Sequence, residues 1–278
     1  MNGNKASAAG EVDLGDLPVR IPLEGTYNVR DIGAYTSRTG RPLRSGVYYR
    51  ADNLAMLTPE GEGQLVGLGI RSVIDLRTAQ EMRVRPNRFA DSPEIRYHPV
   101  DLVGDSHEII SRGDTIVSNQ MEERSENGYF ADPAGRLITI YSTMLDHQGA
   151  AFRRAISLLA ESDASPALFH CVAGQDRTGL IAAFLLSVAD VSEETIIFDY
   201  AATAHYNVHR YLDENGQAIW GMPIETAAEY GSQFCPPEAM EGALTHLRHR
   251  YGGAVRYLET IGITSRELET IREKLLGE

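Results

Sequence analysis

The chain has 278 residues, of which 42% are hydrophobic and 8% aromatic, a composition that suits one generous globular domain or a domain with a lid. No window approaches the roughly 18–20 apolar residues of a membrane span, which argues against stable membrane insertion. A formal net charge of −13 argues against nucleic acid and anionic membranes as partners.

The first residues, Met1–Gly10, are small and polar with no apolar segment behind their lysine, so no signal peptide is expected and residues 1–16 read as a disordered tail. Beyond them, short apolar runs alternate with helical patterns, which predicts an α/β fold with a central, mostly parallel sheet flanked by helices. Strands are expected at Gly46–Arg50, Ser72–Leu76, Ile95–Val100 and Ala167–His170. Thr58-Pro59-Glu60 starts a helix, with proline at its first position. Residues 101 to 133 are polar and read as a long excursion with at most a short helix, a kind of segment that often carries function. Leu137–Leu145 and Phe152–Leu159 read as helices leading into the last strand, and Leu180–Leu186 as the helix leaving it. Ser192-Glu193-Glu194 opens another helix with acids where the dipole favours them. Residues 206 to 250 scatter Tyr206, Tyr211, Trp220, Met222, Tyr230 and Phe234 among polar residues. Thr264-Ser265-Arg266-Glu267 is a capping box that opens an amphipathic C-terminal helix over 264–276.

The stretch between the last strand and its following helix concentrates the chemistry. Cys171 is followed after five residues by Arg177, so a strand runs into a short loop that opens a helix. That layout aims backbone N–H groups and a helix N-terminus at one point, which makes an anion site. A phosphate seated there is gripped bidentately by Arg177 and lies against the sulfur of Cys171. The amides from Val172 through Ala173, Gly174, Gln175 and on to Thr178 and Gly179 are the expected phosphate-binding groups. The same helix terminus and arginine favour the thiolate, the nucleophilic form. Thr178 is placed to donate its hydroxyl to that sulfur or to serve as a first-turn helix hydroxyl. The two cysteines, Cys171 and Cys235, give no disulfide framework, so a reducing, cytoplasmic setting is expected. Cys235 reads as a buried thiol or as a partner that protects Cys171.

The string His170-Cys171-Val172-Ala173-Gly174-Gln175-Asp176-Arg177-Thr178-Gly179 resembles the signature of the protein tyrosine phosphatases, nearest to a bacterial and fungal branch. Asn28-Val29-Arg30-Asp31-Ile32-Gly33-Ala34-Tyr35, Tyr49-Arg50-Ala51-Asp52, Leu57-Thr58-Pro59-Glu60-Gly61, Val73-Ile74-Asp75-Leu76-Arg77-Thr78 and Asp199-Tyr200 also look like that branch. The resemblance implies a cysteine-phosphatase fold, one phosphatase domain over 17–278, and phosphomonoester hydrolysis through a cysteinyl-phosphate with no cofactor. It implies lid helices after the core, so 206–250 reads as a lid or as a satellite cluster on the core. Phosphotyrosine is the first substrate implied, with phosphoserine and phosphothreonine beside it. A small phosphorylated metabolite, a phosphoinositide, or binding without turnover are the alternatives. Gln175 stands where the branch has lysine, which weighs against phosphoinositides because an amide offers only neutral hydrogen bonds.

The leaving oxygen needs a proton donor. Trp220 is followed by Gly221-Met222, so no Trp-Pro-Asp loop is present, and the resemblance implies Asp176 as the acid. Asp75, at the end of a predicted strand, is the runner-up, and its alternative is an ion pair with Arg77. Asp52 and Asp101 follow strands as well. His170 precedes the cysteine, and because adjacent strand residues face opposite ways it reads as a loop-fixing residue rather than a base. Asn28, Arg30 and Asp31 read as bracing for the floor, with Arg30 touching substrate or paired to Asp31 or another acid. His147, His205 and His209 lack partners at metal-ligand spacing, so no metal is expected.

Overall fold

The computed structural model describes residues 18–104, 132–161 and 163–277. The expected N-terminal tail, and most of the polar excursion over 101–133, lie outside these residues.

Five strands form one sheet: β1 (Arg30–Asp31), β2 (Tyr48–Ala51), β3 (Ser72–Asp75), β4 (Arg96–Pro99) and β5 (Ala167–His170). Their order is β1-β2-β5-β3-β4, with β1 antiparallel to β2 and every other pair parallel. This is the expected α/β architecture, a mostly parallel sheet flanked by helices. β2, β3 and β5 are buried at every position, so they carry continuous runs rather than an alternating pattern, as expected for parallel strands covered on both faces. Strand β2 starts two residues later than expected, because Gly46 has φ +77° and belongs to the preceding turn. β1 is a two-residue edge, too short to announce itself by period.

β5 comes last in the chain yet lies between β2 and β3. Its register aligns His170 with Ala51 on one side and Asp75 on the other. Three loops therefore leave the same edge of the sheet together, at the carboxyl ends where α/β sheets gather their sites.

Helix α1 (Pro59–Gly67) is capped by Thr58, and α2 (Ala79–Val84) by a Thr78/Glu81 capping box that the periodicity did not suggest. α3 (Pro133–His147) and α4 (Gly149–Ala160) lead to β5. α5 (Asp176–Val188) begins four residues before the expected Leu180, inside the signature loop itself. Then follow α6 (Glu193–Ala201), α7 (Thr203–Asp213), α8 (Gly216–Trp220), α9 (Ala227–Phe234), α10 (Pro237–Tyr251), α11 (Ala254–Thr260) and α12 (Ser265–Leu276). α12 starts at the expected capping box.

The sheet separates two cores. Tyr49, Val73 and Leu168 face Leu57 and Leu65 beside and on α1. Tyr48, Ile74 and Phe169 face the larger helical layer, in which α5 is buried along nearly its whole length. There Phe184 stacks on Tyr257 at 5.4 Å and meets Phe152 edge-on at 5.5 Å. A rigid floor and a buried helix thus frame the Cys171 loop from below and behind.

Candidate active site

The loop between β5 and α5 runs from Cys171 to Gln175. Its shape is imposed from outside. The carbonyl of Val172 accepts from the Asn53 amide at 3.0 Å and from Arg210 Nη1 at 3.1 Å. The carbonyl of Ala173 accepts from Asn28 Nδ2 and Asn207 Nδ2, both at 3.0 Å. That of Gly174 accepts from Asn28 Nδ2 at 3.1 Å and Arg50 Nη2 at 2.7 Å. In a trans peptide the N–H of the next residue points opposite to the carbonyl. Pulling three successive carbonyls outward therefore turns the N–H groups of Ala173, Gly174 and Gln175 inward, toward one anion-sized spot. Gly174 is required here twice over: its φ is +65°, and a Cβ would lie 2.5 Å from the carbonyl oxygen of Ala51.

Behind the loop lies an excess of buried positive charge. Arg30 and Arg50 share one carboxylate, Asp199, with Arg30 Nε 3.2 Å from Oδ1 and Arg50 Nη1 bonded to Oδ2. Tyr35 also donates to Asp199 Oδ1 at 2.9 Å. Burial opposes ionisation of Asp199, but the two guanidiniums hold it below the usual carboxylate range. Two cations against one anion leave a net positive floor for a phosphate. The expected brace at Asn28 and Arg30 is present, with Arg30 bonded to Asn28 Oδ1, but the partner acid is Asp199 and not Asp31. Asp31 instead accepts from the Gly33 and Gly46 amides, since neighbours on a strand face opposite ways.

Cys171 follows β5 directly and is 1% exposed. His170 does not stand beside it as a base: its Nδ1 meets the carbonyl oxygen of Cys171 at 3.0 Å, and Nε2 meets Asn87 Nδ2 at 2.8 Å. Asp75 lies in that same buried network. It takes Arg77 Nε at 2.9 Å, Arg77 Nη2 at 2.6 Å and the Tyr97 hydroxyl at 2.8 Å. Burial again works against its charge, yet His170 and Arg77 hold it well below the ordinary carboxylate range. A fully buried carboxylate so engaged braces the strand end. Asp52 and Asp101 are likewise spent on backbone amides, those of Tyr27 and Asn28 and those of Val103 and Gly104.

Arg177, Asp176 and Gln175 line a cleft of about 720 Å³. Arg177 donates Nη1 to Glu81 Oε2 at 2.6 Å and Nη2 to Glu81 Oε1 at 3.0 Å. Burial disfavours its charge, but Cys171, Glu81 and Asp176 together hold the guanidinium protonated. Asp176 Oδ1 accepts from the Tyr141 hydroxyl at 2.5 Å, and Tyr141 is bonded in turn to Tyr200 at 2.8 Å. The Thr178 hydroxyl is buried with no hydrogen-bond partner among the described residues. Gly179 lets the Tyr200 ring approach, at 3.0 Å from where a Cβ would sit.

The Gln175 side chain takes a course separate from its backbone N–H. It turns away from the loop centre toward α9, donating to the Phe234 carbonyl and receiving the Tyr230 hydroxyl at 3.3 Å. Tyr230, Phe234 and Trp220 line the cleft, so the aromatic part of 206–250 forms its roof, beside Leu137, Ile140 and Met144 of α3. Tyr230 and Phe234 are 4.9 Å apart and Trp220 is 5.4 Å from Phe234. Cys235 is fully buried beside this roof, and burial pushes its thiol up, with Asp176 adding to the effect. Among the described residues no group of three or more His, Cys, Asp or Glu is gathered as a metal site.

Sequence reasoning gives no role to Asn53, Glu81, Tyr141, Asn207 or Arg210, which lie far along the chain from the loop they hold. Arg50, Asp199 and Tyr200 do sit in the strings that carry the resemblance, and that was the available signal.

A family model described as the tyrosine phosphatase family matches residues 21–277. The chain is 32% identical over 277 residues to the triple specificity protein phosphatase PtpB of Mycobacterium tuberculosis, covering 92% of this chain and 98% of that protein. It is 30% identical over 237 residues to a tyrosine-protein phosphatase of Nostoc commune, covering 84% of this chain and 75% of the relative.

Proposed function

The chain belongs to the tyrosine phosphatase family, and we propose that Cys171 is its nucleophile, Arg177 its phosphate clamp and Asp176 its acid. The Cys171 thiolate attacks phosphorus in line, forming the S–P bond as the bond to the leaving oxygen breaks. Asp176 gives its proton to that oxygen. Water then attacks the cysteinyl-phosphate, Asp176 takes up the water's proton, and phosphate leaves as the thiolate returns. The unpartnered Thr178 hydroxyl is available to stabilise that thiolate.

The observation that carries this reading is the outward grip on three successive loop carbonyls, which preorganises the opposing amides for equatorial phosphoryl oxygens. Glu81 takes the end of the Arg177 guanidinium through both Nη atoms. The Nε edge is left for a bidentate phosphate contact.

An aromatic roof over an aliphatic wall supports a phosphotyrosyl side chain as the first substrate. The similarity to a triple specificity protein phosphatase supports a range wider than phosphotyrosine. No second cation stands at position 175, which disfavours phosphoinositides. A cytoplasmic setting follows from the need to keep Cys171 reduced, and the net charge of −13 argues against nucleic acid. With p-nitrophenyl phosphate the protein is expected to turn over in EDTA and to be inhibited by vanadate. Cys171→Ser is expected to lose turnover and keep phosphate affinity. Turnover surviving in Cys171→Ser overturns the nucleophile, and an inactive wild type that binds phosphate marks a binding protein.

A further inference from the structure

The side chain of Gln175 is 4% exposed and every polar atom of its amide is engaged. Nε2 donates to Asp176 Oδ1 at 3.2 Å and to the carbonyl oxygen of Phe234, while Oε1 accepts the Tyr230 hydroxyl at 3.3 Å. Two of these partners belong to α9, and their rings line the cleft. The third is the residue assigned above as the acid. An amide has two N–H donors, and here one goes to the roof and one to the acid.

We infer that Gln175 is a positioning residue that ties Asp176 to the roof helix, so that the roof's seat on the substrate sets the aim of the acid. The inference rests on the assignment of Asp176 as proton donor. Its physical content lies in which oxygen is held. Tyr141 and Gln175 both donate to Oδ1. Two donors on this one oxygen fix the plane of the carboxyl group and so the direction in which it offers its proton. Tyr141 is anchored in the buried layer through Tyr200, a fixed point. Gln175 is anchored to α9 through Tyr230 and Phe234, which line the same cleft. A substrate ring packed against Tyr230 and Phe234 thus presses on the same helix that holds the second donor. With no Trp-Pro-Asp loop in the sequence, this contact links substrate engagement to proton delivery.

The link shows in leaving-group dependence, which plain bracing does not change. In Gln175→Met, nearly isosteric but unable to hydrogen-bond, kcat/KM for phenyl phosphate is expected to fall about tenfold, part of the range general acids supply. For p-nitrophenyl phosphate, whose leaving group needs little help, the fall is expected to be about twofold or less. Tyr230→Phe, which deletes a single hydroxyl, is expected to act in the same direction and less strongly. In an Asp176→Asn background the selective effect of Gln175→Met is expected to vanish, because residues acting as one unit are non-additive. Equal slowing of both substrates by Gln175→Met and Tyr230→Phe, or full additivity with Asp176→Asn, overturns the role of Gln175 while leaving the acid assignment intact. If Asp176→Asn itself slows both substrates equally, the acid assignment falls and this role with it.

Discussion

Arg177 faces Glu81 end-on, with both Nη atoms bonded to both carboxylate oxygens at 2.6 and 3.0 Å. Glu81 is fixed in its turn as the third residue of α2, where its carboxylate also accepts the Thr78 amide at 2.7 Å. One side chain therefore caps a helix and sets the plane of the Arg177 guanidinium. Glu81→Ala is expected to lower kcat/KM by about 10- to 100-fold, the scale of an ångström-sized misplacement. It is also expected to weaken competitive inhibition by vanadate. Tighter vanadate binding in the variant would mean that Glu81 competes with the anion for Arg177.

Asn28 reaches two successive loop carbonyls with one amide, those of Ala173 and Gly174. Each carbonyl keeps another donor when Asn28 is removed, from Asn207 and from Arg50. Asn28→Ala is thus expected to cost the fold only about 1–3 kcal/mol, the range for disturbing buried hydrogen bonds. Tungstate affinity and turnover are expected to fall together by about tenfold or more, since the amides lose their convergence. A stability loss of that size with unchanged tungstate affinity refutes the outward-grip account.

What was legible in the sequence was the contiguous part. Strand, loop and helix N-terminus adjoin in residues 167–188, so Cys171, Arg177 and the amide-lined loop can be read without knowing the rest of the fold. The donors that shape the loop are not contiguous. Asn53 follows β2, while Asn207 and Arg210 project from α7, and no spacing rule connects them to Val172 or Ala173. Arg30 illustrates the same limit: its buried pairing is foreseeable, but the acid, Asp199, sits 169 residues away. The direction of the Gln175 side chain was likewise not legible, because tertiary contact with α9 decides where it turns. Asp75 met the alternative weighed for it, pairing with Arg77, because a buried strand end cannot hold a lone charge.

Asp75 and Asp199 make the fold sensitive to acid. Both carboxyls are held below their ordinary range in the folded protein, by His170 and Arg77 and by Arg50 and Arg30, against the cost of burial. Their folded values lie below those of the unfolded chain, about 4, so their stabilisation is present above that pH and is lost as pH falls through it. Melting temperature is expected to drop steeply below about pH 4. Asp75→Asn is expected to cost about 3–5 kcal/mol at neutral pH, as for a broken buried pair, and to flatten that acid slope. An Asp75→Asn curve parallel to the wild type would show that another group carries the transition.

Gly174 couples backbone conformation directly to the anion site. Its φ of +65° costs a non-glycine residue about 1–2 kcal/mol, and an added Cβ would also stand 2.5 Å from the Ala51 carbonyl oxygen, an atom fixed in the sheet. β2 cannot yield, because its pairing with β5 holds Ala51 in register with His170. The loop must move instead, carrying the Gly174 carbonyl away from Arg50 Nη2 and Asn28 Nδ2 and rotating the Gln175 amide out of the site. Gly174→Ala is therefore expected to remove activity on p-nitrophenyl phosphate by about 100-fold or more while costing the fold only a few kcal/mol. Circular dichroism and melting curves distinguish this from global unfolding. A well-folded Gly174→Ala protein with near-wild-type turnover would show that the loop's backbone conformation does not control the anion site.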